Sequence, residues 1–208
     1  MTHDLPVPAL LTIGHSNHPI DKFIDLLREH EVTVVADVRS VPHSKWQPQF
    51  NQLPLKESLK KHGIDYLYLG KELGARTDDP TCYENGKVQY RRLAKTFVFQ
   101  QGLERILIEL EGRRTALLCA EKEPLDCHRT LLVSRELVAL GVQVMHIHAD
   151  GHLEDHIEAM RRLLSLSGMR EVDLFKSEAQ LIDEACAKQE ERIAYVDENM
   201  TVEGGENF

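Results

Sequence analysis

Five short, unbroken apolar runs punctuate the chain, and each is followed by a stretch with helical spacing. The runs are "ALLTIG" (Ala9–Gly14), "VTVVADV" (Val32–Val38), "IDYLYLG" (Ile64–Gly70), "RTALLCA" (Arg114–Ala120) and "VQVMHI" (Val142–Ile147). A strand that is apolar at every position, rather than at alternate ones, has both faces covered, and that is the condition of a parallel sheet. The intervening stretches carry helix signals. Pro19 stands at a first helical position ahead of Ile20, Phe23, Ile24 and Leu27, while Gly63 and Gly141 close later helices. The expected fold is therefore α/β: a single domain with a mostly parallel, roughly five-stranded sheet flanked by helices, in a Rossmann-like three-layer arrangement. We expect an α/β domain over 9–170, a C-terminal helical appendage over 171–195 and an acidic flexible tail over 196–208.

Such a sheet binds ligands outside the carboxyl ends of its strands. The residues there are chemically rich. The first run ends in "GHSNH", the second in "DVRSVPHSKW", the third in "GKELGAR" and the fourth in "CAEKEPLDCHR". The motifs "TIGHS", "DVRSVPHS", "GIDYLYLGKELGAR" and "LLCAEKEPLDCHR", in this order, resemble a bacterial family called domain of unknown function 488, over about residues 10 to 150. The resemblance implies a compact cytosolic α/β domain and singles out these loops, and it implies no substrate.

His15, Asp37, Glu121 and His128 are the candidate acid–base groups. Arg39, Ser44, Trp46, Cys127 and Arg129 are the candidate substrate contacts. Two strand-end arginines suit bidentate capture of a phosphate or carboxylate. The competing reading is internal pairing, Arg39 with Asp37 and Arg129 with Glu121. Trp46 is either a stacking platform or a cover over the core edge. Cys119 reads as a buried strand thiol, because a phosphate-cradling cysteine loop would carry small residues and an arginine where Glu121, Glu123 and Leu125 stand. Cys127 and His128 are ligand types, but C-x-E-x5-C-H is not a standard zinc spacing, so no metal ligand is assigned. Nor is one assigned to His146, His148, His152 and His156, whose strand and helix faces need not converge.

These groups are expected to serve an enzyme of the hydrolase or transferase type, acting on a small anionic, phosphorylated or nucleotide-like substrate. The alternatives are a nucleotide or nucleic-acid binding module without turnover, and a metal-dependent enzyme. No P-loop and no G-x-G-x-x-G appears, so no cofactor is named. The formal net charge of -9 disfavours a nucleic-acid partner, which needs an excess of Lys and Arg. No apolar run is long enough to span a bilayer, and "MTHDLPVPAL" lacks the pattern of a signal peptide. With no disulfide-framework spacing among its four cysteines, the chain is expected in the reducing cytoplasm. The long polar stretch from Lys71 to Gln89 is expected to be a lid.

Overall fold

In the computed structural model, which describes residues 9–169 and 175–200, every apolar run becomes a strand. Strands β1 (Leu10–Gly14), β2 (Val34–Asp37), β3 (Asp65–Tyr68), β6 (Thr115–Cys119) and β7 (Val144–Ile147) are parallel. The sheet order is β3–β2–β6–β1–β7–β8, with β8 (Leu153–Asp155) antiparallel at the edge. Alternate residues of the strands feed two cores. Leu11, Ile13, Val35, Ala116 and Leu118 pack on helices α1 (Ile20–Glu29) and α2 (Gln52–Lys61). On the opposite face, Leu10, Ala36, Leu117 and Val144 meet α5 (Phe97–Leu110), α6 (Arg135–Ala139), α7 (His156–Leu166) and α8 (Glu178–Ile193). The three-layer expectation holds, with helices on both faces of the sheet.

The sheet has a sixth strand that the sequence did not announce. Gly151, at φ 94, turns the chain back so that Leu153–Asp155 pair with β7. Asp155 then caps α7 by accepting from the Ile157 N–H at 2.8 Å. A three-residue edge strand carries almost no periodicity of its own, so nothing local in Leu153–Asp155 marks it as a strand.

The stretch from Lys71 to Gln89 is not a free polar loop. It contains α3 (Gly70–Leu73) and a hairpin, β4 (Tyr83–Glu84) with β5 (Lys87–Val88). Asn85 and Gly86 turn the hairpin at φ 50 and 76, the Asn-Gly signal of a two-residue turn. Cys82 and Val88 are fully buried, which anchors the segment and counts against a lid. After the hairpin the chain forms α4 (Tyr90–Leu93) and then α5, which Thr96 caps by accepting from the Phe99 N–H.

Helix α8, expected as an appendage, contributes Leu181, Ala185 and Cys186 to the main core. The segment after it pairs with the hairpin: Val88 N–H donates to the Tyr195 carbonyl, and Asp197 N–H donates to that of Gly86. Of the expected acidic tail, 201–208 lie outside the described residues. No helix among the described residues is long and apolar enough to cross a membrane. All four cysteines are free.

Two of the clustered histidines are core residues. Thr12 Oγ1 lies 2.8 Å from His146 Nδ1, and His146 Nε2 lies 3.1 Å from His156 Nδ1. His148 pairs instead with Glu154 at 2.8 Å. Burial pushes His156 down to about 4 and holds His146 well below its ordinary value. The folded chain thus keeps these rings neutral while the unfolded chain protonates them near pH 6.5. Stability is full above about 6.5 and falls as pH drops toward 4, by up to about 1.4 kcal/mol per pH unit for each ring. The melting temperature at pH 5 should lie several degrees below that at pH 7, and His156→Gln should reduce the gap. An unchanged melting temperature across this window would show that the rings are charged in the fold.

Candidate functional site

Strands β2 and β6 are neighbours, yet the chain leaves them in opposite directions, from β2 outward to β3 and from β6 across β1 to β7. The loops after them diverge, and a cleft opens between their carboxyl ends. A cavity of about 230 Å3 lies there, with Arg39, Cys119, Glu121, Cys127 and His128 in its lining.

Close backbone packing fixes both loops. A Cβ on Gly14 would stand 1.8 Å from the Glu121 carbonyl oxygen, and one on Gly70 would stand 2.0 Å from that of Arg39. His15 and Ser16 N–H groups donate to the carbonyls of Cys119 and Ala120. After Cys119 the chain makes a 3-10 turn at Pro124–Asp126, which Glu123 caps by accepting from the Leu125 N–H. That turn brings Cys127 back beside Cys119. The helix that follows begins as a π-helix over Arg129–Ser134, a wide turn often found at functional sites.

At the cavity floor four reactive groups converge. The thiols of Cys119 and Cys127 donate to Oε2 of Glu121, at 2.9 and 3.0 Å. His128 Nδ1 stands 3.6 Å from Cys119 Sγ and 3.9 Å from Cys127 Sγ. The other ring nitrogen, Nε2, lies 3.0 Å from the Val38 carbonyl. A carbonyl can only accept, so Nε2 carries a proton and Nδ1 faces the sulfurs, while contact with Cys127 and Glu121 outweighs burial and raises the ring above its ordinary value. Burial raises Glu121 and holds the Cys119 thiol well above its ordinary value. Cys127 goes the other way: despite burial, contact with Cys119 and the positive fields of Arg129 and His128 favour its thiolate, which at the same 3.0 Å contact accepts from a protonated Glu121 instead of donating to it. The ligand atoms of Cys119, Cys127 and His128 lie within 4.8 Å of one another, so these three residues are able to hold a metal ion.

The other candidates are held outside this four-group cluster. Asp37 is wholly buried and accepts from Arg39 N, Nε and Nη2, at 3.1, 2.9 and 2.6 Å, and from the Tyr66 hydroxyl at 2.8 Å. Through Nη2, Arg39 also donates to the Phe50 carbonyl at 2.9 Å. This is the internal pair that competed with anion capture. Arg129 is 0 % exposed, and its guanidinium meets backbone carbonyls and not the Glu121 carboxylate. It donates to the backbone carbonyls of Glu121 at 2.8 Å and Lys122 at 3.5 Å. His15 is stacked on Phe50, with centroids 4.4 Å apart, and burial pushes it down to about 4. Ser44 braces its own loop by accepting from the N–H groups of Trp46 and Gln47. Trp46 is 90 % exposed and outside the cavity lining, so it does not cover the core edge.

Three cavity residues were missed from the sequence. Arg76, exposed in the loop after α3, stacks 4.4 Å over the ring of Tyr195, and Tyr90 lies in the same wall. Arg76 had been seen only as one strand-end residue among several. Tyr195 reaches the cavity because the chain after α8 pairs with the hairpin, a long-range placement that no local pattern signals.

A family model described as "Domain of unknown function DUF488" matches residues 19–135, more than half of the 208 residues. The chain belongs to this family. In this DUF488 chain the match spans both cleft loops and the cysteine–histidine cluster, whereas Tyr195 and α8 lie beyond it. No curated protein and no solved structure matches the chain.

Proposed function

We propose that this DUF488 chain is an enzyme that transforms a small anionic substrate in the β2/β6 cleft, by hydrolysis or group transfer. One observation carries the reading: a carboxyl, an imidazole and two thiols lie within contact of one another at the floor of an open cavity. Groups of these types, partly desolvated and mutually coupled, are what proton transfer and nucleophilic chemistry require. The cavity of about 230 Å3 is below the usual range of about 300–1,000 Å3 for ligand pockets, which favours a small substrate over a whole nucleotide. The anion contact moves from Arg39 and Arg129, both engaged internally, to Arg76. Arg76 stands in the cavity wall and forms no ion pair among the described residues.

The test is a thermal-shift screen with small carboxylates, phosphates and sugar phosphates, followed by product analysis. At least one compound should raise the melting temperature and be converted. Arg76→Ala should weaken its binding about tenfold, the worth of one exposed charge-assisted contact, and Glu121→Gln should bind it without turnover. A compound that binds and is recovered unchanged with the wild-type protein would make the cleft a binding module instead.

A further inference from the structure

The geometry points to a zinc-class metal centre formed by Sγ of Cys119, Sγ of Cys127 and Nδ1 of His128, with Glu121 beside a coordination position open to the cavity. Three independent features lead there.

The first is distance. Bonds of about 2.3 Å to sulfur and about 2.0–2.1 Å to imidazole nitrogen, at tetrahedral angles, put sulfur and nitrogen about 3.6 Å apart. The observed separations are 3.6 and 3.9 Å. The second is the state of His128. Its Nε2–H is spent on the Val38 carbonyl, the outer contact that orients a metal-binding imidazole and frees Nδ1. The third is charge. Two thiols and a carboxyl converge where no Lys or Arg among the described residues forms an ion pair with Glu121. Arg39 is taken by Asp37, and Arg129 by backbone carbonyls. Two thiolates and a carboxylate would set three negative charges against the one buried cation of Arg129, and a divalent cation balances the other two.

The donor set chooses the metal. Two thiolates and an imidazole suit zinc, whereas magnesium and calcium demand oxygen. Three protein ligands with a fourth position facing a cavity is the pattern of a catalytic rather than a structural zinc site. Glu121 Oε2, at 2.9 and 3.0 Å from the sulfurs, is nearer to them than a fourth tetrahedral ligand would be. Once the thiols are ionised and bound, that carboxylate loses its S–H partners and can hold water at the open position. The spacing C-x-E-x5-C-H matches no standard zinc pattern, because the Pro124–Asp126 turn, not a regular element, returns Cys127 to Cys119. The centre itself stands on this geometry alone, and a catalytic role for it rests on the enzyme reading above.

The test uses the full chain, purified under reducing conditions without chelator. Elemental analysis should find about one zinc per chain. Protein stripped of zinc and loaded with cobalt should show a thiolate-to-cobalt charge-transfer band. Cys119→Ser and Cys127→Ser should abolish that band and weaken zinc binding at least about a hundredfold, while His156→Gln should change neither. If a serine variant fails to fold, the wild-type cobalt spectrum decides by itself. Zinc retained by the double serine variant would overturn the proposal. So would thiols that stay fully reactive toward a thiol reagent in excess zinc, or a Cys119–Cys127 disulfide in place of the metal. The two readings fail separately. Stoichiometric zinc with an empty substrate screen removes the enzyme and keeps the centre, and protein that turns substrate over but takes up neither zinc nor cobalt does the reverse.

Discussion

Arg129→Gln should lower the stability of the ligand-free protein by about 3 kcal/mol, with no ligand needed to see the effect. The side chain is 0 % exposed, one of the largest fully buried in the molecule. Its Nη1 donates to the Glu121 carbonyl at 2.8 Å, a bond from a charged donor, each worth about 1.5–3 kcal/mol. Glutamine is too short to reach that carbonyl and leaves a void beside it. Relief of a buried charge offsets part of the loss, which keeps the figure near the lower end of buried-network deletions. For a chain of this size about 3 kcal/mol corresponds to a melting temperature about 6–12 °C lower. Arg129→Lys should recover little, because an ammonium cannot fork across two successive carbonyls. Thermal and denaturant melts of the three proteins check this. A glutamine variant that melts with the wild type but binds substrate poorly would return Arg129 to the anion-binding role read from the sequence.

That outcome bears on what the sequence made legible. The five unbroken apolar runs specified the parallel sheet and both helical layers, because burial on two faces leaves a mark at every residue of a strand. The edge strand β8 and the hairpin β4–β5 were missed for lack of length. Three residues and two residues are below any period, although Asn85-Gly86 was a turn signal available to be read. The site was legible at the level of loops. Motif by motif, the strand ends did gather Arg39, Glu121, Cys127 and His128 at one cavity. Roles within it were less legible, for two physical reasons. An arginine at a strand end looks the same in sequence whether it faces solvent or donates to carbonyls beneath a loop, and only burial separates the cases. Cys119 looked inert because its partners depend on a turn that reverses the chain over Pro124–Asp126. Arg76 and Tyr195 meet across more than a hundred residues, and neither carries a local sign of the other.

The buried pair beside the cavity supplies the second large effect. Asp37→Ala should cost about 3–5 kcal/mol, the range for removing one partner of a buried ion pair. Asp37 is 0 % exposed and saturated by four donors, three from Arg39 and one from Tyr66. A carboxylate so occupied and so enclosed has no free lone pair facing the cavity to take a substrate proton. Its work is to hold Arg39, which is only 6 % exposed and would keep the Phe50 carbonyl, at 2.9 Å, as its acceptor. The loss is therefore the cost of stranding that cation, more than the worth of the pair itself. It follows that Asp37→Ala combined with Arg39→Met, which fills similar volume without charge, should be more stable than Asp37→Ala alone. Denaturant melts of the two single variants and the double variant give the coupling directly. The opposite pattern, an Asp37→Ala protein that melts normally and has lost its turnover, would make Asp37 the acid–base group and leave Arg39 free to meet the substrate.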